Sequence, residues 1–182
     1  MVHVRNWERQ SLKTLIHTLL IGILFSSAVL SQQTSFQDSL LEHMVGRWVL
    51  QGTIAGKETT HDIVAEWVLG HQYLQFHETS REKNLHGEAE YEALVFIGWD
   101  QPSSQYSCLW LDVTGGGGLS AQAIGHAKLK GDEIAFIFKG SDGSTFHTTF
   151  LYDHSTNVWR WLMDGEENGK LQPFARVTLR RN

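Results

Sequence analysis

The chain has 182 residues, of which 41% are apolar and 19% charged, and its formal net charge is −5. This globular, mildly acidic composition excludes a disordered chain and gives no basic footprint for nucleic acid. A single Cys excludes an intramolecular disulfide and a Cys-rich zinc site, whereas ten His leave metal or haem ligation open.

Residues 1–31 read as a secretory signal peptide. Arg5, Arg9 and Lys13 precede a mostly apolar run from Thr14 to Leu30, and small residues suited to cleavage follow, before Gln32 or after Ala28. The alternative is an uncleaved anchor, for which this run is short. The expected protein is therefore exported, periplasmic or extracellular, with no stable membrane insertion after cleavage. Removing residues 1–31 takes three Lys/Arg, one Glu, two His and one Trp. Residues 32–182 then form one domain with 12 basic and 19 acidic residues, a formal charge of −7, eight His and six Trp. An acidic surface disfavours anionic partners.

Phe36, Leu40, Leu41 and Met44 fall at helical spacing, so a short helix is expected over Ser35–Met44, with Ser35 as cap and Asp38 in its first turn. After Gly46, apolar runs of strand length alternate with turn residues. The first is Trp48–Ala55, followed by His61–Leu69, Gln72–Ser80 and a long Glu88–Trp99. Tyr106–Val113 ends at the glycine run 115–118. Ser120–Leu129, Glu133–Lys139, Thr145–Asp153, Val158–Asp164 and Leu171–Arg180 complete the set. Asp142-Gly143 and Asn168-Gly169 are hairpin signals, and two Pro in the whole chain suit an extensive sheet. About ten strands at this spacing predict an all-β, antiparallel up-and-down barrel with a short N-terminal helix.

Alternation sorts each strand into two faces. Trp48, Leu50 and Gly52 share one face, as do Ile63, Ala65 and Trp67, and so do Trp159 and Trp161. Cys108, Trp110 and Asp112 lie on one face of the fifth strand. In the fourth, Ala89, Tyr91, Ala93, Val95 and Ile97 are expected inside. Glu88, Glu90, Glu92, Leu94 and Phe96 are expected outside, the last two under the N-terminal helix.

The steps Gly46-Arg47-Trp48, Trp67-Val68-Leu69-Gly70, Ile97-Gly98-Trp99-Asp100, Tyr106 with Trp110 and Asp112, and Phe174-Ala175-Arg176 together resemble an exported bacterial lipocalin-like family known as a domain of unknown function. The resemblance spans nearly all of residues 32–182. It implies a roughly ten-stranded barrel similar to nitrobindin and other calycins; the barrel and its aromatic load together suggest a small apolar ligand. Nitrobindin-like proteins bind haem through a His in the last strand. Leu171–Arg180 contains none, which argues against haem and leaves the cofactor unassigned.

A ten-stranded barrel is wide enough to enclose a ligand cavity. The candidate lining or mouth residues are Trp48, Trp67, Tyr73, His77, Tyr91, Trp110, Asp112 and His147. The aromatics could equally be core. Any of His61, His77, His126 and His147, all within strands, could face inward and bind a metal or orient a ligand. Asp112 is either an inward carboxylate or a strand-end acceptor for the amides of the glycine run. That run lacks the following helix of a phosphate loop and reads as a loop at the barrel mouth. No Gly-x-Ser-x-Gly or His-Glu-x-x-His motif is present. A binding protein is thus expected, with a haem or metal protein, or an enzyme using Asp112 and an inward His, as alternatives.

Overall fold

Alternating apolar residues bury one side of each strand, and closing the sheet on itself removes its unpaired edges. The computed structural model describes residues 36–115 and 118–182. The expected signal peptide, the Ser35 cap and Gly116–Gly117 lie outside those residues. One helix, α1 (Ser39–Glu42), precedes the strands β1 (Gly46–Ile54), β2 (Lys57–Val68), β3 (Tyr73–Ser80), β4 (Glu92–Asp100) and β5 (Gln105–Asp112). A 3-10 turn (Ala121–Ala123) leads into β6 (Ile124–Ala127) and the two-residue β7 (Leu129–Lys130). Then come β8 (Glu133–Lys139), β9 (Thr145–Asp153), β10 (Val158–Glu167) and β11 (Lys170–Arg181).

Every ladder is antiparallel. β1 to β6 run consecutively around the wall, β8 to β11 continue it, and β11 pairs with β1. The wall closes where His126 of β6 meets Ile137 of β8, while β7 pairs only with β8. The result is the expected closed ten-stranded up-and-down barrel. Two strand limits differ from expectation. β4 begins at Glu92, because residues 81–91 fold into a turn pinned by the Lys83–Ala89 bridge and by the Asn84 side chain accepting from the amides of His86 and Glu88. The expected 120–129 strand is broken by the 3-10 turn.

On β4 the expected inward positions Ala93, Val95 and Ile97 are inward, and on β1, β2, β5 and β10 the shared faces of Trp48, Ile63, Cys108 and Trp159 are the inward ones. Trp48, Leu50, Ile63, Ala65, Ala93, Val95, Ile97, Cys108, Trp159 and Trp161 are all buried. Gly52 also points inward. Its φ of +144° suits glycine, and a Cβ there would lie 2.3 Å from the carbonyl oxygen of Arg176 on β11. At Pro173, which has no N–H to give the ladder, the β10–β11 register shifts between Met163 and Asp164.

The N-terminal helix does not lie over β4; Leu94 on that outer face is 38% exposed. α1 instead plugs one end of the barrel, where Leu40, Leu41 and Met44 join the core. Burial of such side chains stabilises by roughly 1.5–3 kcal/mol each. A one-turn helix has almost no stability of its own. The surrounding rings satisfy its backbone. Trp48 Nε1 donates to Met44 O at 2.6 Å and Trp159 Nε1 to His43 O at 3.4 Å. Arg181, stacked over Trp48, donates to the carbonyls of His43 and Val45. Asp38 is the cap: its Oδ1 accepts from the amides of Leu40 and Leu41, and Tyr106 Oη donates to its Oδ2.

Candidate functional site

With α1 in one end, the interior opens toward the other, where β1, β3 and β5 finish and β2, β4, β9 and β11 begin. There a cavity of about 410 Å³ enters the barrel. Its apolar side is formed by Ile54, Phe146, Met163 and Phe174, with Phe146 and Phe174 edge to face at 5.6 Å. Its other side, from β2 to β5, is polar.

The polar wall follows from strand alternation. On β3, Leu74, Phe76, Glu78 and Ser80 point inward, and all four are buried. Leu74 and Phe76 belong to the core, so Glu78 is the first polar position above it. On β2, His61 continues the inward face of Ile63 and Ala65. His61 is 5% exposed and Glu78 2%. The His61 Nδ1 to Glu78 Oε1 hydrogen bond is 2.5 Å long. His61 Nε2 faces Thr59 Oγ1 at 2.9 Å, and the Thr59 hydroxyl donates to Glu82 Oε2 at 3.1 Å. A hydrogen-bonded chain thus runs from buried Glu78 through His61 and Thr59 to Glu82 at the rim. Glu82 also accepts from the Thr60 amide, and backbone and hydroxyl donors hold its carboxyl below the usual carboxylate range. The second oxygen of Glu78 is buried and has no hydrogen-bond partner.

A second cluster adjoins the first. The Tyr91 ring stacks on the His61 ring at 5.7 Å. Trp110 Nε1 donates to Asp112 Oδ2 at 3.1 Å and to Tyr91 Oη at 3.2 Å. The other Asp112 oxygen accepts from the amide and hydroxyl of Thr114. Asp112 therefore fills both expected roles, an inward carboxylate and a strand-end acceptor, although its turn partner is Thr114. Desolvation, reinforced by Glu78 and Asp112, pushes the Tyr91 phenol well above its ordinary value, so it stays neutral. Lys57, paired with Glu90 at 2.9 Å, stands at the rim.

Of the eight candidate residues, Tyr91, Trp110 and Asp112 line this cavity. Trp48 and Trp67 stand at the plugged end. Trp48 is sealed into the core, and Trp67 donates to Glu42 of α1 at 2.8 Å and packs against Phe36. Tyr73, His77 and His147 are on the outer surface, because the alternation of β3 and β9 puts Phe76 and Thr148 inside. The Tyr73 ring lies over Gly98, which offers the bare backbone it needs. His77 pairs with Glu92 at 2.6 Å and His147 with Glu166 at 2.9 Å, both on the outside. Exposed His126 bonds Ser107. Of the four strand histidines weighed as able to face inward, His61 does and lines the cavity, whereas Thr59, Glu78 and Glu82 were not among the candidates, although the inward run from Leu74 through Phe76 leads directly to Glu78. Cys108 is fully buried and its thiol is pushed up by desolvation, so it acts as a small apolar group.

Among the described residues, no group of three or more His, Cys, Asp or Glu side chains could hold a metal ion. Among them too, no helix is long and apolar enough to cross a membrane. Compared with models of protein families and with curated proteins, the chain matches none.

Proposed function

We propose that this chain is an exported, lipocalin-like barrel that binds a small, largely apolar molecule at its open end. The observation that carries the reading is the cavity of about 410 Å³, opposite an end stoppered by α1 and walled on one side by Ile54, Phe146, Met163 and Phe174. That volume is in the range of small-molecule sites, and the mixture of apolar wall with a few placed polar groups is typical of them. Export, the family and the signal peptide rest on the sequence patterns before Gln32 and on the motifs from Gly46 to Arg176. Native mass spectrometry of the full chain purified from its expressing cells tests the reading. A copurifying small molecule, displaced by Phe146→Trp, which narrows the cavity, is the expected result. A protein that carries nothing and binds no member of a library of small aromatic and aliphatic compounds refutes it.

One observation favours a second reading, an enzyme acting on a small substrate. A His whose Nδ1 is held by a carboxylate has the oriented imidazole of a general base, although Thr59, whose hydroxyl donates to Glu82, is not its proton source. Turnover of any substrate that survives His61→Gln unchanged eliminates that reading.

A further inference from the structure

We infer that the open-end cavity selects a ligand with a cationic, hydrogen-donating nitrogen on an apolar body, seated against Glu78 beneath the rim carboxylates. The inference rests on the binding reading above and adds the ligand's chemistry. Three features of the cavity carry it.

The first is the orphan oxygen. Glu78 lines the cavity, is almost wholly buried and uses only Oε1, leaving Oε2 without a donor. A buried carboxylate oxygen without a partner is costly, and a ligand N–H is the group that would relieve it. Asp112 differs: its oxygens are already occupied by Trp110, Tyr91 and Thr114, so it contributes negative potential rather than a seat.

The second is the sign of the potential. Six lining residues are titratable carboxylates or bases: Glu78, Glu82, Glu90 and Asp112 against Lys57 and His61. Counting the carboxylates and Lys57 as charged, the lining carries −3 with a neutral His61 and −2 with a charged one. The sign is thus independent of the His61 proton. Lys57 is held on Glu90 at the rim and pairs with none of the deeper carboxylates. The downward shift of Glu82 favours its ionised form, and the upward shift of the Tyr91 phenol keeps it neutral. Concave, low-dielectric walls focus such a field and reject anions.

The third is the aromatic lining. Tyr91, Trp110 and Phe146 present rings to the same space, and ring faces attract cations while their area takes up an apolar body. An amphipathic amine uses all three features at once. A fatty acid or other anion would be repelled, and a plain hydrocarbon would leave Glu78 Oε2 unpaired.

The test compares three probes that share one ring system and differ in head group: naphthylmethylamine, naphthylmethanol and naphthylacetate. Binding to the full chain is measured by titration calorimetry. The amine is expected to bind at least about tenfold more tightly than the alcohol, a difference of about 1.4 kcal/mol, with the acetate weakest. Glu78→Gln keeps the volume and should bring the amine down to the level of the alcohol. Glu82→Gln, at the half-buried rim, should lower the amine-to-alcohol ratio at least roughly threefold, and it decides the matter if the Glu78 variant does not fold. Equal binding of amine and alcohol, or preference for the acetate, overturns the cation inference while leaving the binding reading intact. Binding of none of the three overturns both.

Discussion

The His61–Glu78 pair should behave as a site feature that costs the fold stability, and a double-mutant cycle can show it. His61→Phe keeps the ring stacked on Tyr91 but removes the only hydrogen-bond partner, among the described residues, of a carboxylate that is 2% exposed. Breaking a buried pair from one side leaves an uncompensated charge and costs about 3–5 kcal/mol. Glu78→Leu leaves the buried His61 Nδ1 without its acceptor, which costs about 1–3 kcal/mol. The double variant removes both polar groups and also the orphan Oε2. It fills the same space with apolar atoms, so its stability should lie within about 1 kcal/mol of the parent or above it. For a domain of this size, the first variant should lower Tm by roughly 6–20 °C and the double variant hardly at all. Urea unfolding followed by far-UV dichroism and Trp fluorescence measures all four corners. The cycle should show a coupling energy of at least about 2 kcal/mol. If the double variant loses the sum of the two single losses, the pair is a structural pillar and the reasoning fails.

Three further outcomes follow from the same structure. Leu41→Ala removes a fully buried side chain from the plug and should cost about 2–5 kcal/mol in urea unfolding; a loss below about 1 kcal/mol would mean that α1 is peripheral. Gly52→Ala places a Cβ against the Arg176 carbonyl in a backbone region that L residues avoid, so it should cost at least about 1–3 kcal/mol, and a neutral result would contradict the β1–β11 approach. Burial raises the phenols of both Tyr91 and Tyr106 in the folded state. The stability they contribute is therefore complete below the ordinary tyrosine pKa near 10 and is lost as pH rises above it. An absorbance titration of the native protein should show two of its four Tyr silent at about pH 11 until the fold melts, whereas a single step for all four contradicts their burial.

The wall of the barrel was legible because its information is local. Turn pairs such as Asp142-Gly143 and Asn168-Gly169 mark the hairpins, and apolar alternation marks the strands between them. Even the long fourth run sorted correctly, because Glu92, Leu94 and Phe96 contrast with Ala93, Val95 and Ile97. The site was less legible because alternation gives two faces without saying which is inside. Tyr73, Gln75 and His77 look like a ligand-facing set, yet the inward set is Leu74, Phe76, Glu78 and Ser80. Once Leu74 and Phe76 are assigned to the core, the two-residue period carries Glu78 and Ser80 inside with them. The same step on β2, from Ala65 and Ile63, carries His61 inside. The placement of α1 was not legible at all. Its apolar stripe needed a partner surface, and the barrel end supplies both buried rings and the N–H donors of Trp48 and Trp159.

The two ends of the barrel are built on opposite principles, and this contrast bears on the proposed site. At the plugged end, the indole N–H groups of Trp48, Trp67 and Trp159 each have an acceptor on the α1 segment, and the Tyr106 hydroxyl has Asp38. Polar groups there are consumed in holding the plug. Beyond the plug the pattern changes. Among the described residues, the buried side-chain atoms without a hydrogen-bond partner are Glu78 Oε2 and Trp161 Nε1. Both belong to inward positions between the plug and the mouth: Glu78 lies one step from Ser80, and Trp161 one step from the cavity-lining Met163. A barrel selected for stability alone would place apolar side chains at both positions, since that avoids two desolvation penalties. Retaining an acceptor and a donor there, while satisfying the comparable groups at the other end, supports the proposal that the space beneath the mouth is a binding site.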